Sequence, residues 1–243
     1  MISERDISEK FSVIWKENLP LLTPNFMRIF NESHVDIVNL NPVNTIEEVR
    51  YDLVSEAAFN LSEIVYNNNT TAASYLSNTN NIHNLITKTA ASIWTNKYLS
   101  DDDYQFTVYE LEEILKISEN ITEFVFLTKK EIVRFKPKLK GYGFISDLEA
   151  DLLIDDTLFE VKTVNRNFKS TDLKQLFIYL ALRQVGEGEN WKYAGLYNPR
   201  KGTLCKFNIK GLIFSLTGGK TPNETFENLL NSLVRDIEID SKF

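Results

Sequence analysis

Hydrophobic positions along this 243-residue chain change their period near residue 118. Before that point they recur at helical spacing. Ile7, Phe11, Ile14 and Trp15 make one stripe, and Leu53, Ala57, Leu61, Ile64 and Val65 make another, the three-to-four-residue repeat that lines apolar side chains along one helix face. Residues 66–84 (YNNNTTAASYLSNTNNIHN) are rich in Asn, Ser and Thr, which favour turns and caps, and predict loops with one short helix. Asp101, Asp102 and Asp103 precede the periodic segment YQFTVYELEEILKI, where a helix N-terminus favours negative charge. From 119 onward the period shortens towards two. Segments 123–127 (EFVFL), 131–135 (EIVRF), 147–154 (DLEADLLI) and 157–164 (TLFEVKTV) predict consecutive strands, the last two joined by a hairpin turned at Asp155-Asp156. Ser170, Thr171 and Asp172 supply caps for a helix over 173–185 that ends at Gly186. Strands at 191–198 and 204–209 flank the turn PRKG (199–202), and Thr221-Pro222 opens a closing helix over 221–235. The expected fold class is α/β: a mostly helical region, 1–118, packed on a core, 119–243, whose central mixed sheet is flanked by helices.

Composition narrows the chemistry. A hydrophobic content of 43% supplies a packed core. The single cysteine, Cys205, and the two histidines, His34 and His83, are too few for a four-ligand zinc site, a cysteine-ligated iron–sulfur cluster or a disulfide. MISERDISEK carries charges where a signal peptide needs apolar residues, and no apolar run approaches the ~18 residues of a membrane span. A cytoplasmic protein with no membrane contact is expected. The formal net charge of −7 excludes a protein that grips nucleic acid with its whole surface and leaves room for a local basic strip.

The charged positions of the hairpin carry the candidate chemistry. Side chains two apart on a strand share a face, so Glu160 and Lys162 point together while Phe159 and Val161 point into a core. Asp151 precedes Glu160 by nine residues, and a hairpin turned at Asp155-Asp156 brings the two side by side on adjacent strands. Two carboxylates alone repel, but a hard divalent cation such as Mg²⁺ binds through one or two carboxylates plus water and substrate phosphate. The lysine then has a separate task, orienting water or stabilising charge that develops on the phosphate.

Asp151, the hairpin and the triplet Glu160-Val161-Lys162 resemble the PD-(D/E)xK nuclease superfamily. Gln175-Leu176-Phe177-Ile178-Tyr179, on the helix that follows, is similar to the Q-x-x-x-Y motif of its RecB-like branch, and YNPRKGTL (197–204) resembles the strand-turn-strand that ends many such cores. The likeness covers about residues 119–209. It departs from the superfamily's name at Ala150, which stands where proline would precede the first acid. It implies a restriction-endonuclease-like core and a metal-dependent nuclease acting on DNA. Asp151, Glu160 and the Val161 backbone carbonyl would hold Mg²⁺ or Mn²⁺, and Lys162, Gln175 and Tyr179 would complete the catalytic set. Asp147 and Glu149 share the strand face expected for Asp151, and Glu149 offers a supporting or substitute acid. Members of the branch often add a histidine or glutamate from an upstream helix, for which Glu56, Glu63 and His83 are the candidates. Lys136, Lys138 and Lys140 before the hairpin, and Arg166, Lys169 and Lys174 after Lys162, bracket the site and would contact phosphates without reading bases. Gly141 and Gly143 suit a turn or a close approach to a backbone. DNA is the expected partner, with a second copy or a partner protein left open. Host defence and DNA processing are the settings the likeness brings, and a non-cleaving nucleic-acid-binding or scaffold subunit is the alternative.

Overall fold

The computed structural model describes residues 4–39, 41–44, 49–93 and 105–240. Three helices open the chain, α1 (Glu4–Lys10), α2 (Ser12–Asn18) and α3 (Pro24–Ser33), followed by a short strand, β1 (Asp36–Ile37). Next come α4 (Tyr51–Asn68), α5 (Ala72–Leu76), α6 (Thr79–Ile93) and α7 (Val108–Thr128). The strands β2 (Val133–Phe135), β3 (Lys138–Leu139), β4 (Leu148–Glu149), β5 (Leu152–Ile154) and β6 (Thr157–Val161) lead to α8 (Ser170–Ala181), which continues into a π-helical turn, Leu182–Gly186. Then β7 (Tyr193–Asn198), β8 (Thr203–Asn208), α9 (Ile209–Thr217) and α10 (Pro222–Asp240) close the chain.

Six strands form one mixed sheet in the order β1-β8-β7-β6-β5-β2, with β6 and β7 parallel and the other pairs antiparallel. The fold is therefore α/β, with helices on both faces of the sheet and a helical region ahead of it. Alternation along the strands divides the core. Leu153, Leu158, Ala194, Leu196 and Cys205 pack with α1–α3 and α8–α10. Leu152, Ile154, Phe159 and Tyr197 pack with α4, α5 and α7. Phe159 stands edge-on to Phe124 of α7 with ring centroids 5.2 Å apart, and its register partner on β7 is Gly195. A Cβ on Gly195 would lie 2.7 Å from the Phe159 ring, so glycine makes the room for that aromatic.

The hairpin turns at Asp155-Asp156 as expected, with Ile154 paired to Thr157. Asp155 has φ of 53° and accepts the backbone N–H groups of Lys130, Glu131 and Ile132, which hold its carboxyl below the usual range and tie the end of α7 to the turn. Cys205 is buried in β8, and burial pushes its thiol up to about 12.

Several segments differ from expectation. EFVFL is helical, because Phe124 and Val125 continue the buried stripe Ile114, Ile117, Ile121 of α7, so the period change near 118 falls inside that helix. Residues 66–84 are mostly helical: Thr71 caps α5, accepting from Ser74 N at 3.1 Å, and α6 starts at Thr79. The stretch 147–154 is two strands, since the chain leaves one sheet after Glu149 and enters the other at Leu152. Lys169, not Ser170, is the N-cap of α8, with Asp172 accepting its backbone N–H at 2.8 Å. The acids 101–103 lie outside the described residues.

Candidate active site

The pairing of Leu152 with Phe159 sets Asp151 across from Glu160. Asp151 Oδ2 accepts the Val161 N–H at 2.7 Å, and its carboxyl comes within hydrogen-bonding reach of the Glu160 carboxyl. Glu160 and Lys162 project towards α8. Lys162 Nζ lies 2.7 Å from Glu160 Oε1 and donates to Gln175 Oε1 at 2.6 Å. One turn further along α8, Gln175 Nε2 donates to the Tyr179 hydroxyl at 3.1 Å. The structure thus brings together Asp151, Glu160, Lys162, Gln175 and Tyr179, which are scattered over 29 positions of sequence.

Glu160 is 1% exposed, and its Oε2 is buried without a hydrogen-bond donor. An unsatisfied carboxylate oxygen in the interior is costly. Burial, and then the Asp151 carboxylate, push the Glu160 carboxyl up to about 8 against the pull of Lys162. Burial also raises Asp151, opposed by Lys162 and the Val161 N–H and reinforced by Glu56. For Lys162, burial pulls the ammonium down, and the Glu160 and Asp151 carboxylates together more than offset it, so it stays protonated. Tyr179 is raised by burial and then by the same two acids, and remains a neutral phenol. It is 1% exposed and accepts from Gln175 in the interior.

Asp151 and Lys162 face a cavity of about 840 Å³ between α4 and the chain leaving β6, with Glu160, Gln175 and Tyr179 behind its wall. Asp151, Val161, Lys162 and Arg166 line one side, and Tyr51, Asp52, Ser55 and Glu56 line the other. Of the three upstream acid or histidine candidates, only Glu56 lines this cavity. Glu63 faces a second groove at the β2 edge, and His83 is exposed on α6. Glu56 is paired with Lys136, Nζ to Oε1 2.8 Å. Helix α4 is fixed at its start by Arg50, whose guanidinium meets the buried Glu110 of α7 at 2.7 Å.

The six expected phosphate contacts separate. Lys136 and Arg166 line the cavity, each already paired, Arg166 with both oxygens of Asp172 at 2.7 and 2.9 Å. Lys138 is exposed on β3 beside the second groove, and Lys140 is exposed beyond it. Lys169 is exposed at the start of α8. Lys174 lies over the Trp15 ring at 5.5 Å, with its ammonium lowered by burial. Lys138, Lys140, Lys169 and Lys174 are therefore not part of the cavity wall. Asp147 and Glu149 are not beside Asp151 either: Asp147 accepts the Gly141 N–H at 2.8 Å, and Glu149 sits on β4 of the small sheet. Gly141 belongs to a turn in which a Cβ would meet the Ile145 carbonyl at 2.2 Å.

Two contributions were not read from the sequence. The polar residues Asp52 and Ser55, which share a face of α4 with the candidate Glu56, alternate with the stripe Leu53, Ala57 and could have been read as a wall facing water. Asn198 donates to the Val164 carbonyl at 2.7 Å and so fixes the segment after Lys162; no pattern along the chain marks that long-range bond.

Among the described residues no group of three or more His, Cys, Asp and Glu side chains is arranged to enclose a metal. The smaller set that Mg²⁺ uses, one or two carboxylates with the remaining positions left to water and phosphate, does match what is present. Asp151 and Val161 provide hard oxygen donors beside open space, and Glu160, with Oε2 lacking a donor, lies buried next to Asp151. No protein-family model matches this chain, and no curated protein matches it.

Proposed function

We propose that this protein is a Mg²⁺- or Mn²⁺-dependent nuclease that hydrolyses DNA phosphodiester bonds, with a PD-(D/E)xK site of the RecB-like kind. The observation that carries the proposal is the buried Glu160 carboxyl group. It has one oxygen on Lys162 and the other without a donor, beside a second acid, Asp151, that lines an open cavity. Asp151, Glu160 and the Val161 carbonyl would hold the ion. Bound there, it would supply Lewis-acid polarisation of the phosphate and of water. Lys162 stays charged and is held by Glu160 and Gln175, so its ammonium can orient water and stabilise negative charge on the phosphate without reorganising. Gln175, steadied by Tyr179, aims the lysine. Arg166 and Lys136 line the cavity as candidate phosphate contacts. Host defence and DNA processing are the settings proposed for it.

The test is incubation with circular DNA, linear DNA and RNA in Mg²⁺, Mn²⁺ or EDTA. Metal-dependent DNA cleavage abolished by Asp151→Ala supports the proposal, and cleavage of the circle establishes an endonuclease. No cleavage of any substrate turns the assignment to the non-cleaving binding or scaffold subunit.

A further inference from the structure

Lys136 is held more firmly than a surface lysine needs. Its backbone is in the left-handed region, φ 48°, immediately before Pro137, a conformation disfavoured for a residue with a Cβ and for one preceding proline. Its N–H donates to the Asp151 carbonyl at 2.9 Å, so the bend is locked onto the site. Its ammonium reaches across to α4, 2.8 Å from Glu56 Oε1 and 2.9 Å from Asn60 Oδ1, and lies 5.7 Å from the centre of the Phe59 ring. Strain concentrated at a residue of this kind points to a use.

We infer that Lys136 is the cation that occupies Glu56 in this cavity and is displaced from it when a divalent ion binds, leaving Glu56 free to face that ion. This rests on the metal-binding part of the nuclease proposal and adds to it a latch. Glu56 and Asp151 line one cavity with Lys136 between β2 and α4, so an incoming ion meets both a like charge and a carboxylate already engaged. The ammonium has somewhere to go. Lys136 also lines the second groove, about 480 Å³, which passes around the β2 edge, and Glu63 stands there seven residues along α4 from Glu56, on the same helix face. Moving from Glu56 to Glu63 exchanges one carboxylate partner for another. Arg134 and Lys138 line that groove and oppose the move, as Glu63 favours it.

The test is Mn²⁺ alone, without nucleic acid, titrated by calorimetry and by the paramagnetic signal of the free ion. Lys136→Met should bind Mn²⁺ about fivefold more tightly than wild type, the order expected when Glu56 no longer has to leave a partly exposed ion pair before it meets the ion. Lys136→Gly removes the same charge and suits the left-handed backbone, so it provides the measurement if the methionine variant folds poorly. In a Glu56→Gln background the gain from either change should vanish, and Glu63→Gln alone should weaken Mn²⁺ binding. Folded Lys136 variants that bind no more tightly than wild type, or that gain equally with Glu56→Gln, overturn the latch. If Asp151→Asn binds Mn²⁺ as wild type does, it is the underlying metal site that fails, and the latch with it.

Discussion

Glu160 binds a proton in the metal-free fold at pH values where the unfolded chain has lost it. Its folded value, raised to about 8 from an ordinary 4.5, means that its stabilising contribution is complete below about pH 4.5 and disappears as pH rises through 8. Between those values the native state holds more protons than the unfolded one, so stability declines with pH. Melting temperature measured in EDTA should therefore fall from pH 5 to pH 9, Glu160→Gln should flatten the decline, and Mn²⁺ should restore most at the alkaline end. At the next position on the same strand face, Lys162→Met keeps the aliphatic stem and removes the charge. Single-turnover cleavage should drop by about 10²–10³, the loss typical of one preorganised electrostatic contact. DNA affinity should change little, because one cation contributes only a fraction of the salt-dependent binding.

Helix α8 converts residue chemistry into geometry, since four-residue spacing stacks Gln175 and Tyr179 on one face while Phe177 is fully buried in the core. Tyr179→Phe removes the acceptor for the Gln175 amide, and cleavage should slow by several-fold, whereas Gln175→Ala should slow it further because Lys162 loses its second partner. Unchanged turnover in both variants would reduce the pair to helix packing. On the other side of β6, Gly195→Ala drives a methyl into the Phe159 ring and should destabilise the fold by roughly 1–3 kcal/mol in urea titration, the usual cost of overpacking. The hairpin, α8 and the β7–β8 pair were legible in the sequence because each has its own period and turn chemistry. EFVFL was not. Its five residues favour strands locally, but Phe124 and Val125 extend a stripe that Ile114, Ile117 and Ile121 set over the preceding three helical turns, and the longer window prevails. The Asn-rich stretch misled in the opposite way, because Thr71 acts as a cap, as its type suggests, yet it begins a helix instead of bordering a loop. Asp151, Glu160 and Lys162 could be grouped from strand alternation. The Lys136–Glu56 bond could not, since it joins residues 80 apart on elements that only the packed core brings together.

At the scale of the whole molecule, the cavity lies between two layers, with the β5–β6 hairpin supplying Asp151 and Lys162, and α4 supplying the facing wall. Its shape depends on how α4 is anchored. Arg50 holds the buried Glu110, and although burial alone would raise that carboxyl, the Arg50 and Thr107 hydrogen bonds bring it below its usual value. Glu110 therefore contributes stability above about pH 4.5 that is lost as pH falls through its lowered value. Arg50→Ala leaves a buried acid without its partner and should cost about 3 kcal/mol, readable by denaturant unfolding, with reduced cleavage as α4 shifts from the cavity.

The parallel pairing of β6 with β7 also sets the order in which the protein can mature. A parallel partner cannot be supplied by a tight turn; it waits for a crossover, here the α8 segment between Val161 and Tyr193. The strand bearing Glu160 thus gains its inner neighbour only after β7 has been synthesised, and non-local pairings of this type are slow to form. A nascent chain that has emerged no further than residue 190 carries all five proposed catalytic residues but no completed sheet around them. Until then the acids of the hairpin stay hydrated, and any hydrolytic capacity would arise only after β7 has emerged and paired with β6.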